Sequence, residues 1–311
     1  MIQFEQVEKK YPDGTHAVQE LNLTIDKGEF FVLIGPSGCG KTTTLKMINR
    51  LIPISGGTVR IDGKKISEFD IHELRWNIGY VLQQIALFPH MTIAENIAVV
   101  PEMRGWSAEK INHRVDELLD MVGLEPSIYR SRKPSELSGG QQQRIGVIRA
   151  LAADPDIILM DEPFSALDPI SREKLQDDLL SLQRQIQKTI VFVTHDMKEA
   201  VKLGDRLCLM KDGRIVQTGT PEDILQHPAN AFVESFIGVH QEKEHTRVKE
   251  VVRAYPANES AGGRIGGDAT VAQAMQLLAQ TEALTVYENG KPIGIVTRQT
   301  MIQFLAGEVT A

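Results

Sequence analysis

The chain has 311 residues, and at ~150 residues per domain that length suggests two domains. Hydrophobic residues make up 42% and charged residues 24%, proportions of a folded globular protein that exclude the disordered and fibrous classes. Lysine and arginine total 34 against 41 aspartates and glutamates, a formal net charge of -7, which argues against binding driven by a nucleic-acid phosphate backbone.

The opening residues, MIQFEQVEKKYPDG, place no apolar core behind a basic end, so no signal peptide is expected. Phe4 and Val7, then Leu21, Leu23 and Ile25, give a broken period-2 alternation around a Pro12-Asp13-Gly14 turn, which predicts short strands. Phe30 to Ile34 is an unbroken apolar run, the mark of a strand buried on both faces. It enters a glycine-rich loop and then a helical pattern with Leu45, Ile48 and Leu51 in register. Val59 to Gly63 predicts a strand ending in a tight turn. From Ser107 to Gly123 the spacing of Ile111, Val115, Leu118, Leu119 and Val122 predicts a helix, with Ser107 as N-cap and Gly123 just past the C-cap. Ile157 to Met160 and Ile190 to Val193 predict two more buried strands, separated by a helix striped with Leu175, Leu179, Leu182 and Ile186. Arg206 to Met210 and Arg214 to Thr218 flank Lys211-Asp212-Gly213 as a hairpin. Buried strands alternating with amphipathic helices predict a parallel α/β sheet. No apolar stretch approaches the ~18 residues of a membrane span, so the chain is not expected to cross a membrane, although it could sit on one.

Composition changes after Gly238. His240 to His245 is polar and reads as a linker, and Tyr255 to Gly267 is rich in glycine, proline and small polar residues. Beyond it the pattern predicts a helix over Thr270 to Gln280, with Val271, Met275 and Leu278 aligned. A hairpin of Leu284 to Tyr287 and Ile293 to Thr297 follows, turning at Asn289-Gly290, and a last helix begins near Gln299. The expected organisation is a domain over 1–238, a linker over 239–247 and a small α+β domain over 248–311. A unit that small gains from association with another copy.

The strongest chemical signal is Gly35-Pro36-Ser37-Gly38-Cys39-Gly40-Lys41-Thr42, which fits GxxxxGK[ST] directly after a buried strand and before a helix. A triphosphate is a dense negative charge, and this pattern answers it three ways. Backbone N–H groups of Gly38 to Thr42 wrap it, the positive end of the following helix faces it, and Lys41 reaches its β and γ oxygens. Thr42 offers a hydroxyl to Mg²⁺. A chance match in such a chain is on the order of 0.01, so an ordinary glycine turn is the weaker explanation. Leu137-Ser138-Gly139-Gly140-Gln141-Gln142-Gln143-Arg144 opens a second helix, where Ser138 and the two glycines can present a hydroxyl and N–H donors to an anion. Taken alone, Ser138 could be no more than a helix cap. The only cysteines are Cys39 and Cys208, with no CxxC pair, which excludes a disulfide framework and a Cys-type zinc site and suits a reducing cytoplasm. Cys39 reads as filler that could make the enzyme thiol-sensitive, and Cys208 as core.

LSGGQQQR resembles the signature sequence of ATP-binding-cassette (ABC) ATPases, and the resemblance covers essentially Met1 to Gly238. It implies a P-loop ATPase domain with a RecA-like core, an antiparallel β subdomain and an α-helical subdomain. It further implies that Ile157 to Glu162 is the Walker B strand, with Asp161 in the Mg²⁺ shell and Glu162 as the general base that polarises the attacking water. His195 is similar to the switch histidine at the γ-phosphate. Gln83 is similar to the Q-loop glutamine, which binds Mg²⁺ or water and links the site to a transmembrane partner. Tyr11 is similar to the aromatic that stacks on adenine, and Ser165 to Asp168 to the D-loop that touches a partner subunit. In the family two domains pair head-to-tail, so each ATP would lie between Gly35 to Thr43 of one copy and Ser138 to Gln141 of the other, and ATP would close a homodimer that hydrolysis loosens.

One cassette with no membrane span implies separate transmembrane permease subunits, a seat at the cytoplasmic face of the cell membrane and, indirectly, an extracytoplasmic substrate-binding protein. Leu45 to Leu51 and Asn96 to Pro101 are similar to ATPases of osmoprotectant importers, which take up glycine betaine, carnitine or choline. An importer of another solute, such as polyamines or amino acids, is the alternative. Val271 to Phe304 resembles a cystathionine-β-synthase-type (CBS) regulatory motif. A single such motif is found, beginning near Val248, where the family normally has pairs, and Thr300 stands where an Asp would hold an adenosine ribose. Nucleotide sensing by the tail is therefore not expected. Two tails are expected to pair across the ATPase dimer, either reporting osmotic or ionic state or serving only as a dimerisation prop. A soluble ABC protein of DNA repair or translation would carry two cassettes or a long coiled-coil insertion. A serine hydrolase built on Ser37 fails because Gly35 to Cys39 lacks the final glycine of GxSxG.

Overall fold

A computed structural model describes residues 2–84, 86–165, 167, 169–252, 263–278, 281–288 and 290–306. The chain divides into two units, Met1–Val233 and Glu234–Ala311.

The first unit opens with a hairpin of β1 (Ile2–Lys10) and β2 (His16–Ile25), in which Phe4 pairs with Leu23 and Ile2 with Ile25. β3 (Phe30–Ile34) leads through the glycine-rich loop into α1 (Lys41–Ile48). β4 (Gly56–Ile61) turns at Asp62 and Gly63, both at positive φ, into the short β5 (Lys64–Lys65). The four strands form one sheet in the order β2-β1-β4-β5, joined by antiparallel pairs. After α2 (Ile71–Trp76) and β6 (Ile78–Val81) come the helices α3 (Ile93–Met103), α4 (Ala108–Met121), α5 (Pro126–Tyr129) and α6 (Gly139–Leu151).

β7 (Ile157–Asp161), α7 (Pro169–Ile186), β8 (Thr189–Thr194) and α8 (Met197–Leu203) then alternate before the hairpin of β9 (Arg206–Lys211) and β10 (Arg214–Gly219). The second sheet runs β10-β9-β3-β8-β7-β6. Its strands are parallel from β9 to β6, while β10 returns antiparallel at the edge because its tight hairpin allows no crossover. The expected parallel sheet is thus mixed at one edge. α9 (Pro221–Gln226) and α10 (Ala231–His245) follow.

The apolar run of β3 is buried at all five positions, and the pleat explains why. Phe31 and Leu33 share a core with Leu45 and Ile48 of α1. The next residues round the pleat face the other way: Phe30 meets Phe192, whose ring also meets Phe164, at centroid separations of 5.8 and 5.5 Å. Leu51 does not continue the helix it was expected to join. Arg50 adopts φ 54, the helix ends at Ile48, and Leu51 is exposed. Both ends of α4 behave as expected. The Ser107 hydroxyl accepts from the Lys110 N–H, and Gly123, at φ 68, closes the last turn with N–H bonds from Gly123 to Asp120 and from Leu124 to Leu119.

In the second unit, α11 (Val248–Val251), β11 (Gly263–Gly266), α12 (Val271–Leu278), β12 (Ala283–Glu288), β13 (Lys291–Thr297) and α13 (Arg298–Ala306) build a sheet in the order β11-β12-β13. β11 joins β12 in parallel and β13 joins it antiparallel, over a core of Val248, Val271, Leu278, Leu284, Val286, Val296 and Met301. Thr270 and Gln273 cap α12 reciprocally. One expectation changes. His240 to His245, read as a linker from its polarity, forms the last turns of α10, because a polar run without glycine or proline is as compatible with a helix as with a loop. The hairpin turns at Gly290 with φ 78, while Asn289 and the predicted helix end at Gln280 lie outside the described residues.

Candidate active site

The loop between β3 and α1 is shaped by close backbone approach. A Cβ at Gly35 would stand 2.2 Å from the Met210 carbonyl oxygen, and one at Gly40, at φ 105, would stand 2.4 Å from that of Ala17. Only glycine fits either place. Pro36, Ser37 and Gly38 are exposed at the crest, whereas Gly35, Cys39 and Gly40 are buried at its feet. Gly40 is the N-cap of α1 and supplies no side-chain hydrogen bond, so the amides of the first turn meet no capping side chain. Lys41 is buried, and its ammonium donates to the carbonyls of Gly35 at 2.7 Å and Pro36 at 2.9 Å and lies 3.8 Å from the Cys39 sulfur. Burial pushes the Cys39 thiol up, against the pull of the Lys41 ammonium, which makes it a less reactive thiol than its place in the loop suggests. Cys208 lies fully buried on β9, its thiol pushed up to about 12 by burial. Thr43 is half-buried on the same turn as Thr42.

Strand pairing brings the acidic end of β7 beneath this loop. The Thr42 hydroxyl donates to Asp161 Oδ1 at 2.7 Å across 119 residues of chain. Tyr80, on the neighbouring strand β6, donates to Asp161 Oδ2 at 3.4 Å, and Lys46 lies 3.8 Å from the same oxygen. Burial, reinforced by Asp161, raises the Tyr80 hydroxyl well above its ordinary pKa, so it stays a donor. Sequence reading missed both residues. Lys46 stands four residues after Thr42, one helical turn on the same face, and that spacing could have revealed it. Tyr80 reaches Asp161 only through the β6–β7 pairing, and nothing local announces that.

Glu162 turns the chain out of the sheet at φ 44, with its N–H donated to the Val193 carbonyl on β8. Its carboxylate oxygen Oε2 receives two groups, the Gln83 amide at 3.3 Å and His195 Nδ1 at 3.3 Å. The His195 hydrogen bond outweighs burial and holds the Glu162 carboxyl below its usual range, while the same bond raises the His195 pKa. Oε1 of Glu162 receives no hydrogen bond among the described residues. Lys41, Thr42, Asp161, Glu162, His195 and Gln83 are thus assembled from the start of α1, the end of β7 and the residues that follow β6, β7 and β8.

His195 is braced from behind. Thr194 donates to the buried Glu199 at 2.6 Å, and Asp196 caps α8 by accepting from Lys198 and Glu199. Arg172 of α7 donates to the Leu167 carbonyl at 3.1 Å and lies 3.7 Å from Glu199. Burial raises the Glu199 carboxyl. Of the segment similar to a D-loop, Ser165 hydrogen-bonds the Glu162 carbonyl at 3.0 Å, and Asp168 lies outside the described residues.

Two expected parts stand apart from this cluster. Tyr11 is half-buried at the end of β1, with the Lys9 ammonium 5.0 Å from its ring centroid. Ser138 caps α6, accepting from the Gln141 N–H at 3.3 Å while Gln141 Oε1 accepts from the Ser138 N–H at 2.9 Å, and the Gln141 amide donates to the Tyr129 hydroxyl at 3.0 Å. Ser138 and Gly139 are exposed, and Gly140 and Gln141 are half-buried. Among the described residues, no hydrogen bond or ion pair joins Ser138 to Gln141 with the Gly35–Thr43 loop.

Residues 18–165 match the ABC transporter family, and residues 264–307 match the CBS domain. The glycine betaine/carnitine/choline transport ATP-binding protein OpuCA of Bacillus subtilis is 55% identical over 284 residues, which cover 90% of this chain and 73% of that protein. The osmoprotectant import ATP-binding protein OsmV of Salmonella typhimurium is 47% identical over 306 residues, covering 96% of this chain and 80% of that one. Among solved structures, the dimeric post-hydrolysis state of the ATP-binding cassette MJ0796 bound to ADP and Pi matches with a TM-score of 0.64 and 38% identity, over 71% of this chain and 99% of that chain. The chain belongs to the ABC transporter family, among the ATP-binding proteins of its osmoprotectant importers, with a CBS domain appended.

Proposed function

We propose that this chain is the ATP-hydrolysing subunit of an importer of quaternary-amine osmoprotectants, the class that includes glycine betaine, carnitine and choline. In this reading it works as a homodimer at the cytoplasmic face of the cell membrane, on transmembrane permease subunits fed by an extracytoplasmic binding protein. No helix among the described residues is long and apolar enough to cross a membrane. The single observation that carries the solute class is 55% identity over 90% of the chain to a protein named for glycine betaine, carnitine and choline transport.

The chemistry follows from the cluster. The N–H groups from Gly38 to Thr42 cradle the phosphates, and Lys41 exchanges the carbonyls of Gly35 and Pro36 for β and γ oxygens. Tyr11 stacks on adenine. Thr42 and Asp161, which touch each other, and Gln83, which reaches Glu162, would offer hard oxygen donors that suit Mg²⁺. The ion would supply positive charge to offset that of the phosphates. Glu162, kept ionised by His195, accepts the proton of the attacking water on its uncommitted Oε1, and Gln83 and His195 fix the carboxylate through Oε2. Ser138, Gly139, Gly140 and Gln141 grip the γ-phosphate bound to the partner copy. The dimeric, ADP- and Pi-bound cassette among the solved relatives supports that arrangement.

Uptake of labelled glycine betaine, carnitine and choline by vesicles carrying the chain with its permease tests the reading. ATP-dependent uptake of at least one of these, abolished by Glu162→Gln, is expected. Uptake of a polyamine or an amino acid instead would overturn the solute class.

A further inference from the structure

Gln143 plays no part in the cluster described above, yet it is 2% exposed, and a buried primary amide is costly to keep unless its groups are matched. Its amide nitrogen donates to the Pro163 carbonyl, and its oxygen Oε1 is buried with no hydrogen-bond partner. An apolar side chain would fill this place without leaving an acceptor unmet. What the amide secures is a link between two elements. Gln143 lies on α6, the helix that Ser138 opens, while Pro163 directly follows Glu162. On that helix Gln141 and Gln143 are about 200° apart. Gln141 meets Tyr129 on one side, and Gln143 turns inward to the Glu162 turn. Glu162 sits at φ 44, a conformation uncommon for a side-chain-bearing residue. Its N–H is held by Val193 of β8, its carbonyl by Ser165 within the turn, and the next carbonyl, that of Pro163, by Gln143 of α6.

We propose that Gln143 is a positioning residue that ties the signature helix of each protomer to that protomer's own catalytic turn. Gripping the partner's nucleotide through Ser138 to Gln141 thereby sets the Glu162 carboxylate in the protomer's own site. The link makes each active site depend on the engagement of the other, and it rests on the shared-site reading given under Proposed function. Gln143 touches no reacting atom and acts through the backbone that carries Glu162.

The test uses the full chain. Gln143→Met fills the same volume without the donor, and Gln143→Leu, also apolar and without a donor, covers the case in which the methionine variant fails to fold. Both are expected to lower kcat for ATP about tenfold through misplacement of the base, to leave KM within about twofold, and to bring a Hill coefficient above 1 in the parent chain down to 1. Adding Gln143→Met to Glu162→Gln is expected to leave ATP-driven dimer formation, read by light scattering, at the parent level, because the grip itself is intact. Variants with kcat and Hill coefficient equal to the parent's would overturn the proposal and make Gln143 a packing residue. Loss of dimerisation in step with loss of kcat, or a parent Hill coefficient of 1, would overturn it as well. If Glu162→Gln alone does not dimerise with ATP, the shared-site reading falls and takes this proposal with it; that outcome is distinct from a dimerising chain indifferent to Gln143.

Discussion

Helices α1 and α6 both start at a turn that the sequence marks for anion binding, and they are finished in opposite ways. α1 begins at Gly40 with no capping side chain, so its first amides are committed to nothing but the loop. α6 begins with a complete capping box between Ser138 and Gln141. The first offers its amides no side-chain acceptor, and the second has the Ser138 and Gln141 N–H groups paired by its own side chains. An incoming phosphate at Ser138 must displace a hydroxyl from the Gln141 amide, whereas at α1 it displaces nothing but the turned-back Lys41 ammonium. On the proposed shared-site reading, the tight, lasting part of binding would fall to the phosphate loop and the reversible part to the Ser138 turn, an element that would close and open in each cycle.

The largest expected effect breaks the chemistry and leaves both binding faces in place. Glu162→Gln should hydrolyse ATP at least ~10²-fold more slowly while still binding it, and steady-state assays with nucleotide-binding measurements check both. Near-normal hydrolysis would remove Glu162 from the role of base. A smaller effect sharpens the comparison directly, because the chain carries an internal control. Ser107 caps α4 as Ser138 caps α6, each accepting an N–H at 3.3 Å. Replacing either by alanine should lower stability by ~1 kcal/mol, measured by denaturant unfolding. Only Ser138→Ala should also lower ATPase activity. Equal losses of activity, or none in either, would reduce Ser138 to a cap.

The smallest effect is electrostatic. The His195–Glu162 hydrogen bond raises the histidine and lowers the carboxyl, so both groups are charged, and the pair stabilises the fold, between those two values. The stabilisation is lost as pH falls through the depressed Glu162 pKa and as it rises through the elevated His195 pKa. In Glu162→Gln the partner charge is gone, and the His195 pKa, followed by NMR, should fall toward its ordinary value near 6.5. An unchanged titration would show that the carboxylate does not hold the ring.

Much of this was legible in the sequence because its signals are local. The unbroken apolar run of Phe30 to Ile34, the spacing of Gly35 to Thr42 and the caps at Ser107 and Gly123 each depend on residues within a turn or two. The cluster at Asp161 was legible only through family resemblance, since Thr42 and Asp161 are 119 residues apart and no periodicity links them. What stayed hidden is set by packing between elements. Tyr80 reaches Asp161 because β6 lies beside β7, Arg172 meets Glu199 because α7 passes α8, and Gln143 looks like any one of three consecutive glutamines until α6 is laid over the Glu162 turn. The polar run His240 to His245 was ambiguous for the converse reason: polarity alone does not separate a helix from a loop.

The central claim is that each nucleotide is held by the phosphate loop of one copy and the Ser138 turn of another. Mixing two inactive full-length variants, Lys41→Ala and Ser138→Arg, tests it most directly. A mixed dimer then contains one site with an intact loop facing an intact turn. The copy that carries that loop has a disabled turn of its own, so the coupling through Gln143 lowers its rate about tenfold, and the ATPase rate of the mixture should still exceed the sum of the two inactive variants measured separately. A mixture no more active than that sum, under conditions where the chains exchange, would mean that loop and turn serve the same copy and would contradict the account.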